Sequence, residues 1–172
     1  TIDDPGLFTG SVFQKTLGAA GIKCDTVERV TEKPDYEKLT LILDYPSANL
    51  ARTIRVTNAR SQNFYAEMLF KYMGYVDAKK GTVESGERAV LDTLKKKGLN
   101  ENGIVMDDGS GLSRKNRVRT QQIAELLRLM FQSDYKTEFI QSLAVPANPY
   151  GTLRKRLRGV DLDGEIHAKT GY

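Results

Sequence analysis

The sequence predicts an α+β domain. Three observations predict it. Several stretches place apolar residues at helical spacing, one residue in every three or four. Others alternate apolar and polar residues, the period of a strand with one face buried. The order of these stretches is helix, strand, several helices, a short strand, helix and final strand. That pattern has too few strands for a sheet of its own, so at least two more are expected.

Taken in order, Asp4 caps the first helix and Pro5 suits its first turn. Phe13, Leu17 and Ala20 line one face, and Gly21 closes it. In "EKLTLILDY", Leu39, Leu41 and Leu43 alternate with Thr40 and Ile42, which predicts a strand. Pro46 breaks that strand and opens a short helix with Leu50, Thr53 and Ile54 inward. "SQNFYAEMLFKYMG" predicts a strong helix, with Tyr65, Met68, Leu69 and Tyr72 on its inner face and Gly74 as its stop. A helix over about 85–97 follows, ended by Gly98. Ile104 to Met106 form a short strand leading into the turn "DDGSGLS". Thr120 caps a helix that turns Ile123, Leu126, Leu127 and Met130 inward. In Gly164 to Tyr172, Ile166 and Ala168 point one way and Glu165, His167 and Lys169 the other, a final strand.

Composition narrows the function. The 172 residues are 40% hydrophobic and 28% charged, enough for a core under a hydrated surface. No apolar run approaches the roughly 20 residues that cross a bilayer. The opening "TIDDPGLF" is no signal peptide, which says little about compartment. Cys24 is the single cysteine, so an internal disulfide and a cysteine metal cluster are excluded, and the residue reads as small and partly buried. The net charge is +4, with basic clusters at Arg114, Lys115, Arg117, Arg119 and at Arg154, Lys155, Arg156, Arg158. Such clusters suit phosphates or an acidic polymer, but more often form solvated faces. No zinc-finger spacing or RNA-binding motif accompanies them, so nucleic acid is not the expected partner.

Three chemistries compete for the polar residues. A Ser-His-Asp triad would need His167, the lone histidine, as its base. Its tempting serine, Ser110, has glycines as immediate neighbours rather than two residues away, so it forms no nucleophile elbow. A metal site has only scattered carboxylates such as Asp107 and Asp108, in a stretch whose glycines suggest a tight turn with Asp108 and Ser110 bonding backbone. A lysine-assisted serine mechanism needs a nucleophilic serine with its lysine, a second serine with an asparagine facing the cleft, and a strand whose lysine and threonine hold a carboxylate. The last two are present: Ser61-Gln62-Asn63 before a strong helix, and Lys169-Thr170-Gly171 on a strand. Gly171 leaves room for substrate backbone beside that strand. Ser61 as a mere helix cap is the plain alternative.

In these motifs the chain resembles the serine D-alanyl-D-alanine carboxypeptidase/endopeptidases, the class C, low-molecular-mass penicillin-binding type. "DYPSANLARTIRVTNARSQNFYAEMLFKYMG" resembles the approach to their second catalytic element. "MDDGSGLSRKN" resembles their most recognisable turn, and "YGTLRKRL" followed by "HAKTG" the approach to the third element. "VPANPYGTL" departs from the family's turn, which usually carries a glycine and an acid. The first element, Ser-x-x-Lys, is absent from its expected place. Its literal match, Ser133 to Lys136, follows the second element and reads as a helix-end turn.

The resemblance implies a penicillin-binding-protein/β-lactamase-like transpeptidase fold, helices packed on an antiparallel sheet, with residues 1–172 as the carboxy-terminal portion of the catalytic domain, incomplete at both ends. It implies cleavage of the terminal D-Ala-D-Ala bond in peptidoglycan stem peptides, with cross-links as a second class of substrate. The route is an acyl-enzyme that β-lactam antibiotics trap. Ser61 would relay a proton to the leaving amine and Asn63 would bond the substrate amide. Lys169 would supply positive charge, Thr170 would bond the terminal carboxylate, and Gly171 would border the substrate. The implied setting is extracytoplasmic, in the periplasm or cell envelope, with peripheral membrane or cell-wall association and no cofactor. A non-catalytic wall-binding or scaffold protein on the same fold is the alternative.

Overall fold

The computed structural model describes residues 2–157 and 166–171. Arg158 of the second basic cluster, and Gly164, Glu165 and Tyr172 of the final expected strand, lie outside them. The chain forms two compact units, Thr1–Pro46 and Ser47–Tyr172.

The first unit is built on helix α1, Pro5–Ala19. Asp4 caps it as its sequence requires, accepting hydrogen bonds from the Gly6 and Leu7 amides. Gly21, at φ +81°, ends it. Arg29 Nη1 donates to both Asp4 oxygens at 2.7 Å. Gln14 Nε2 donates to the Cys24 carbonyl, and Cys24 is exposed rather than partly buried. The expected strand at Leu39–Leu43 is not formed. A single 3-10 turn, Tyr36–Lys38, leads into extended chain whose Ile42 is 95% exposed. Alternation specifies which side chains share a face, but a strand exists only when a neighbour completes its hydrogen bonds. Among the described residues none does.

The second unit is helical. Asn49, not Pro46, caps α2, Leu50–Arg60, through the Arg52 amide. Helix α3 spans Asn63–Ala78 and α4 spans Val83–Lys96, the latter opened by Thr82 and Ser85, which cap each other's backbone. Gly98, at φ +80°, follows α4 as expected. Gly74 does not stop α3. It lies inside the helix, where a Cβ would strike the backbone of Ser85 and Gly86. Gly86 in turn faces Phe70, so the two glycines let α3 and α4 approach backbone to backbone. This rotates α3 away from its expected face: Phe70 and Gly74 are buried, while Tyr65, Met68 and Tyr72 are substantially exposed.

Helix α5 spans Thr120–Phe131. Its cap is Arg119, whose amide donates to Gln122 Oε1, and Thr120 is its first helical residue. Gln122 is buried and donates to the Asn100 and Asn102 carbonyls, while Ile123 and Leu127 lie more exposed than expected. A short helix that the sequence reading omitted, α6 at Lys136–Ser142, packs against α2 and α5. Instead of an antiparallel sheet, the described residues contain two isolated antiparallel bridges, Val105 with Arg117 and Ala144 with Ala168. Among the described residues of this unit few apolar side chains are buried: Phe70, Ala89, Leu99, Ala144, Pro146 and Leu153. No helix among the described residues is long and apolar enough to cross a membrane.

Candidate active site

The site begins where α2 ends. Ser61 is its C-cap, in the left-handed region at φ 55° and ψ 54°, with its amide donating to the Thr57 carbonyl. A non-glycine residue adopts this backbone only when its surroundings hold it there. The cap is made by the backbone, so the hydroxyl remains available. Helix α3 takes Gln62 as its N-cap residue. Ser61 is thus no side-chain cap of α3.

Lys169 reaches Ser61 through three linked contacts. Asn58, one turn before Ser61, donates from Nδ2 to Ser142 Oγ at 2.8 Å, joining α2 to the end of α6. Two residues after Ser142, Ala144 exchanges both backbone hydrogen bonds with Ala168, each 2.9 Å. His167 adds a bond between its Nδ1 and the Ile140 carbonyl at 3.0 Å, which gives the lone histidine a place in the scaffold. The next residue after the bridge is Lys169. Its Nζ donates to Ser61 Oγ at 3.0 Å and to the Thr170 carbonyl at 2.8 Å, across 108 positions of sequence from Ser61. Desolvation lowers the Lys169 pKa below the ordinary lysine value.

A third segment closes the arrangement. Pro146 is buried, Ala147 turns at φ 60°, and Asn148 Oδ1 accepts from the Tyr150 amide, so "VPANPYG" folds as a tight strap. The Arg60 guanidinium lies over the Tyr150 ring at 5.5 Å. The Thr152 amide donates to the Ala59 carbonyl at 2.9 Å, and Thr152 Oγ1 accepts from Thr170 Oγ1 at 3.0 Å. Thr152 therefore ties both arms of the site together, the Ser61 end of α2 and the Lys169–Thr170 segment. The string "YGTL" does not reveal this role, because nothing local shows which hydroxyl a threonine will meet.

These residues border an open cavity of about 700 Å³, where Ser61, Thr152, Thr170 and Gly171 are joined by the basic run Arg154–Arg156. Asn63 is placed differently. It is exposed at the first position of α3 and makes no hydrogen bond to Ser61 or Lys169. Ser133 is engaged at the end of α5, donating to the Met130 carbonyl at 2.8 Å, as a helix-end turn would have it. Ser110 donates to Asp108 at 2.7 Å inside its turn. No cluster of metal-ligating side chains occurs among the described residues.

The pattern of the D-Ala-D-Ala carboxypeptidase 3 (S13) family matches residues 1–172 in full. The chain belongs to this family. A D-alanyl-D-alanine carboxypeptidase from an Actinomadura species is 32% identical over 99% of this chain, which spans 33% of that protein. The carboxypeptidase DacB of Haemophilus influenzae is 24% identical over 99% of the chain, which spans 36% of it. The chain thus covers about a third of the length of these carboxypeptidases. Two solved structures of Haemophilus influenzae penicillin binding protein 4, one of them in complex with a β-lactam, superpose on the whole chain with TM-scores of 0.83 and 0.82 at 23% identity. They share its fold, so the penicillin-binding-protein architecture holds although no sheet is completed among the described residues.

Proposed function

We propose that this chain carries the second and third catalytic elements of a serine DD-peptidase that cleaves the D-Ala-D-Ala bond of peptidoglycan stem peptides. The observation that carries this reading is the Lys169 ammonium donating to the Ser61 hydroxyl from a distant part of the sequence. That pair brings Ser61 beside the Lys169–Gly171 segment, next to the cavity that Ser61, Thr170 and Gly171 line.

In this reading the attacking serine and its lysine lie in the polypeptide outside residues 1–172. The lysine takes the proton of the attacking serine as its oxygen attacks the carbonyl of the penultimate D-alanine, that proton is handed to Ser61, and the C–N bond breaks. Ser61, polarised by Lys169, passes the proton to the departing amine, so that the last residue leaves neutral at nitrogen. Asn63 bonds the substrate amide once substrate bridges the gap from α3. The Thr170 hydroxyl turns from Thr152 to the terminal carboxylate, while Lys169 supplies the matching charge. Water then resolves the acyl-enzyme, and a β-lactam, whose amine stays tethered, holds it. No cofactor is required. The setting is extracytoplasmic, with peptidoglycan peptides as partners.

The test is acylation of the full-length protein by a fluorescent penicillin, with the penicilloyl peptide mapped by mass spectrometry. The label is expected on a Ser-x-x-Lys serine outside residues 1–172. Lys169→Ala and Ser61→Ala are each expected to slow acylation at least 100-fold, because both act on the proton transfer. A protein that takes no label is a wall-binding scaffold, and a label on Ser110 or Ser133 would replace the mechanism.

A further inference from the structure

The cavity at Ser61 carries more positive charge than one terminal carboxylate needs. Thr170 and Gly171, which the proposed function assigns to the carboxylate end of the substrate, share its wall with Arg154, Lys155 and Arg156. Among the described residues no carboxylate and no large apolar side chain lines it. Arg154 has an interaction of its own. Lys155 and Arg156 are exposed and belong to none of the ion pairs among the described residues. Their placement is set by the strap: the buried Gly151 and Leu153 and the Thr152–Ala59 hydrogen bond fix the chain entering them, and the Arg156 amide donates to the Leu153 carbonyl at 2.9 Å. The cations therefore project from an anchored turn beside the reacting centre.

We propose that Lys155 and Arg156 form a leaving-group subsite that takes a second negative charge, so that the enzyme prefers a dicarboxylic leaving residue to a monocarboxylic one. The proposal rests on the DD-peptidase reading, which places the terminal carboxylate at Thr170. With that carboxylate matched by Thr170 and Lys169, Lys155 and Arg156 remain on the same cavity wall for the residue that departs. A neutral polar side chain would gain little from them. A carboxylate would gain a charge-assisted hydrogen bond, with Arg156 offering a planar fork and Lys155 a mobile point charge.

The experiment uses the full-length protein and two acylated peptides that differ in one group, ending in D-Ala-D-Glu or D-Ala-D-Gln. Wild type is expected to cleave the D-Glu peptide with kcat/KM about 5- to 10-fold higher, a gain suited to two partly exposed charges. The ratio should contract at high salt. In Lys155→Gln/Arg156→Gln it should fall to about 1, and in Lys155→Glu/Arg156→Glu below 1, with thermal melting confirming that both variants are folded. A wild-type ratio near 1, or a ratio retained in the glutamine variant, overturns the subsite. The two readings fail separately. Wild type that is acylated by penicillin but shows no preference loses only the subsite, whereas wild type that is neither acylated nor active loses the DD-peptidase reading and the subsite with it.

Discussion

Asp108 is the most heavily bonded side chain of the "DDGSGLS" turn. It accepts from the Gly111, Leu112 and Ser113 amides, from Ser110 Oγ and from Asn116 Nδ2, at 2.7–3.1 Å. Burial alone would raise its pKa, but the bonds from Ser110, Asn116, Ser113 and Gly111 outweigh it and lower the group from 3.8 to about 2. A depressed carboxylate contributes stability that is complete above its unfolded pKa and is lost as pH falls through the folded one. The turn should therefore hold above about pH 4 and loosen between 4 and 2. Asp108→Asn is expected to cost ~2 kcal/mol at neutral pH, several degrees of melting temperature, and to flatten that acid limb in a pH series of thermal melts. Ser110→Ala should lower the melting temperature less and leave penicillin acylation fast. This residue was legible in advance, since Asp and Ser among glycines have few uses other than bonding local backbone. The pairing of Thr170 with Thr152 was not, because it depends on where a distant strap lands.

At the scale of elements, glycine carries the main lesson. Gly21 and Gly98 end helices as their sequence context suggests, and both take positive φ. Gly74 looks the same in sequence but serves contact, with Gly86 opposite. Only the presence of α4 at backbone distance separates the two uses, and periodicity along α3 cannot report that. The same contact explains the rotation of α3 that exposes Tyr65 and Tyr72. Gly74→Ala is expected to destabilise the protein by ~2–3 kcal/mol by forcing the helices apart, and Gly18→Ala, which meets nothing within 4 Å, to be neutral or slightly stabilising. Paired thermal melts of the two variants test this. Strands were the least legible elements. Leu39, Leu41 and Leu43 alternate correctly, yet a strand is a relation between segments, and the partner cannot be read from either alone.

At the scale of the whole molecule, the described residues bury little. Six apolar side chains, Pro146 among them, fall below a tenth exposed, while α3 alone leaves Phe64, Tyr65, Tyr72, Tyr75 and Val76 at half exposure or near it. Apolar surface of this extent is ordinarily covered. Residues 1–172 expressed alone are therefore expected to bind a hydrophobic dye strongly and to melt broadly, whereas the full-length protein melts in a cooperative transition. A sharp calorimetric peak for the isolated segment would contradict this.

The left-handed backbone of Ser61 carries a consequence for how this position is occupied. Glycine would rest there with about 1–2 kcal/mol less conformational strain. A chain shaped for endurance alone would have put glycine at the end of α2, as it did after α1 and α4. Serine stands there instead, as Lys79 does at the left-handed end of α3, and of the two it is Ser61 whose hydroxyl receives the Lys169 ammonium. The residue that Lys169 singles out across the fold is also one that the backbone, left to itself, would not have chosen.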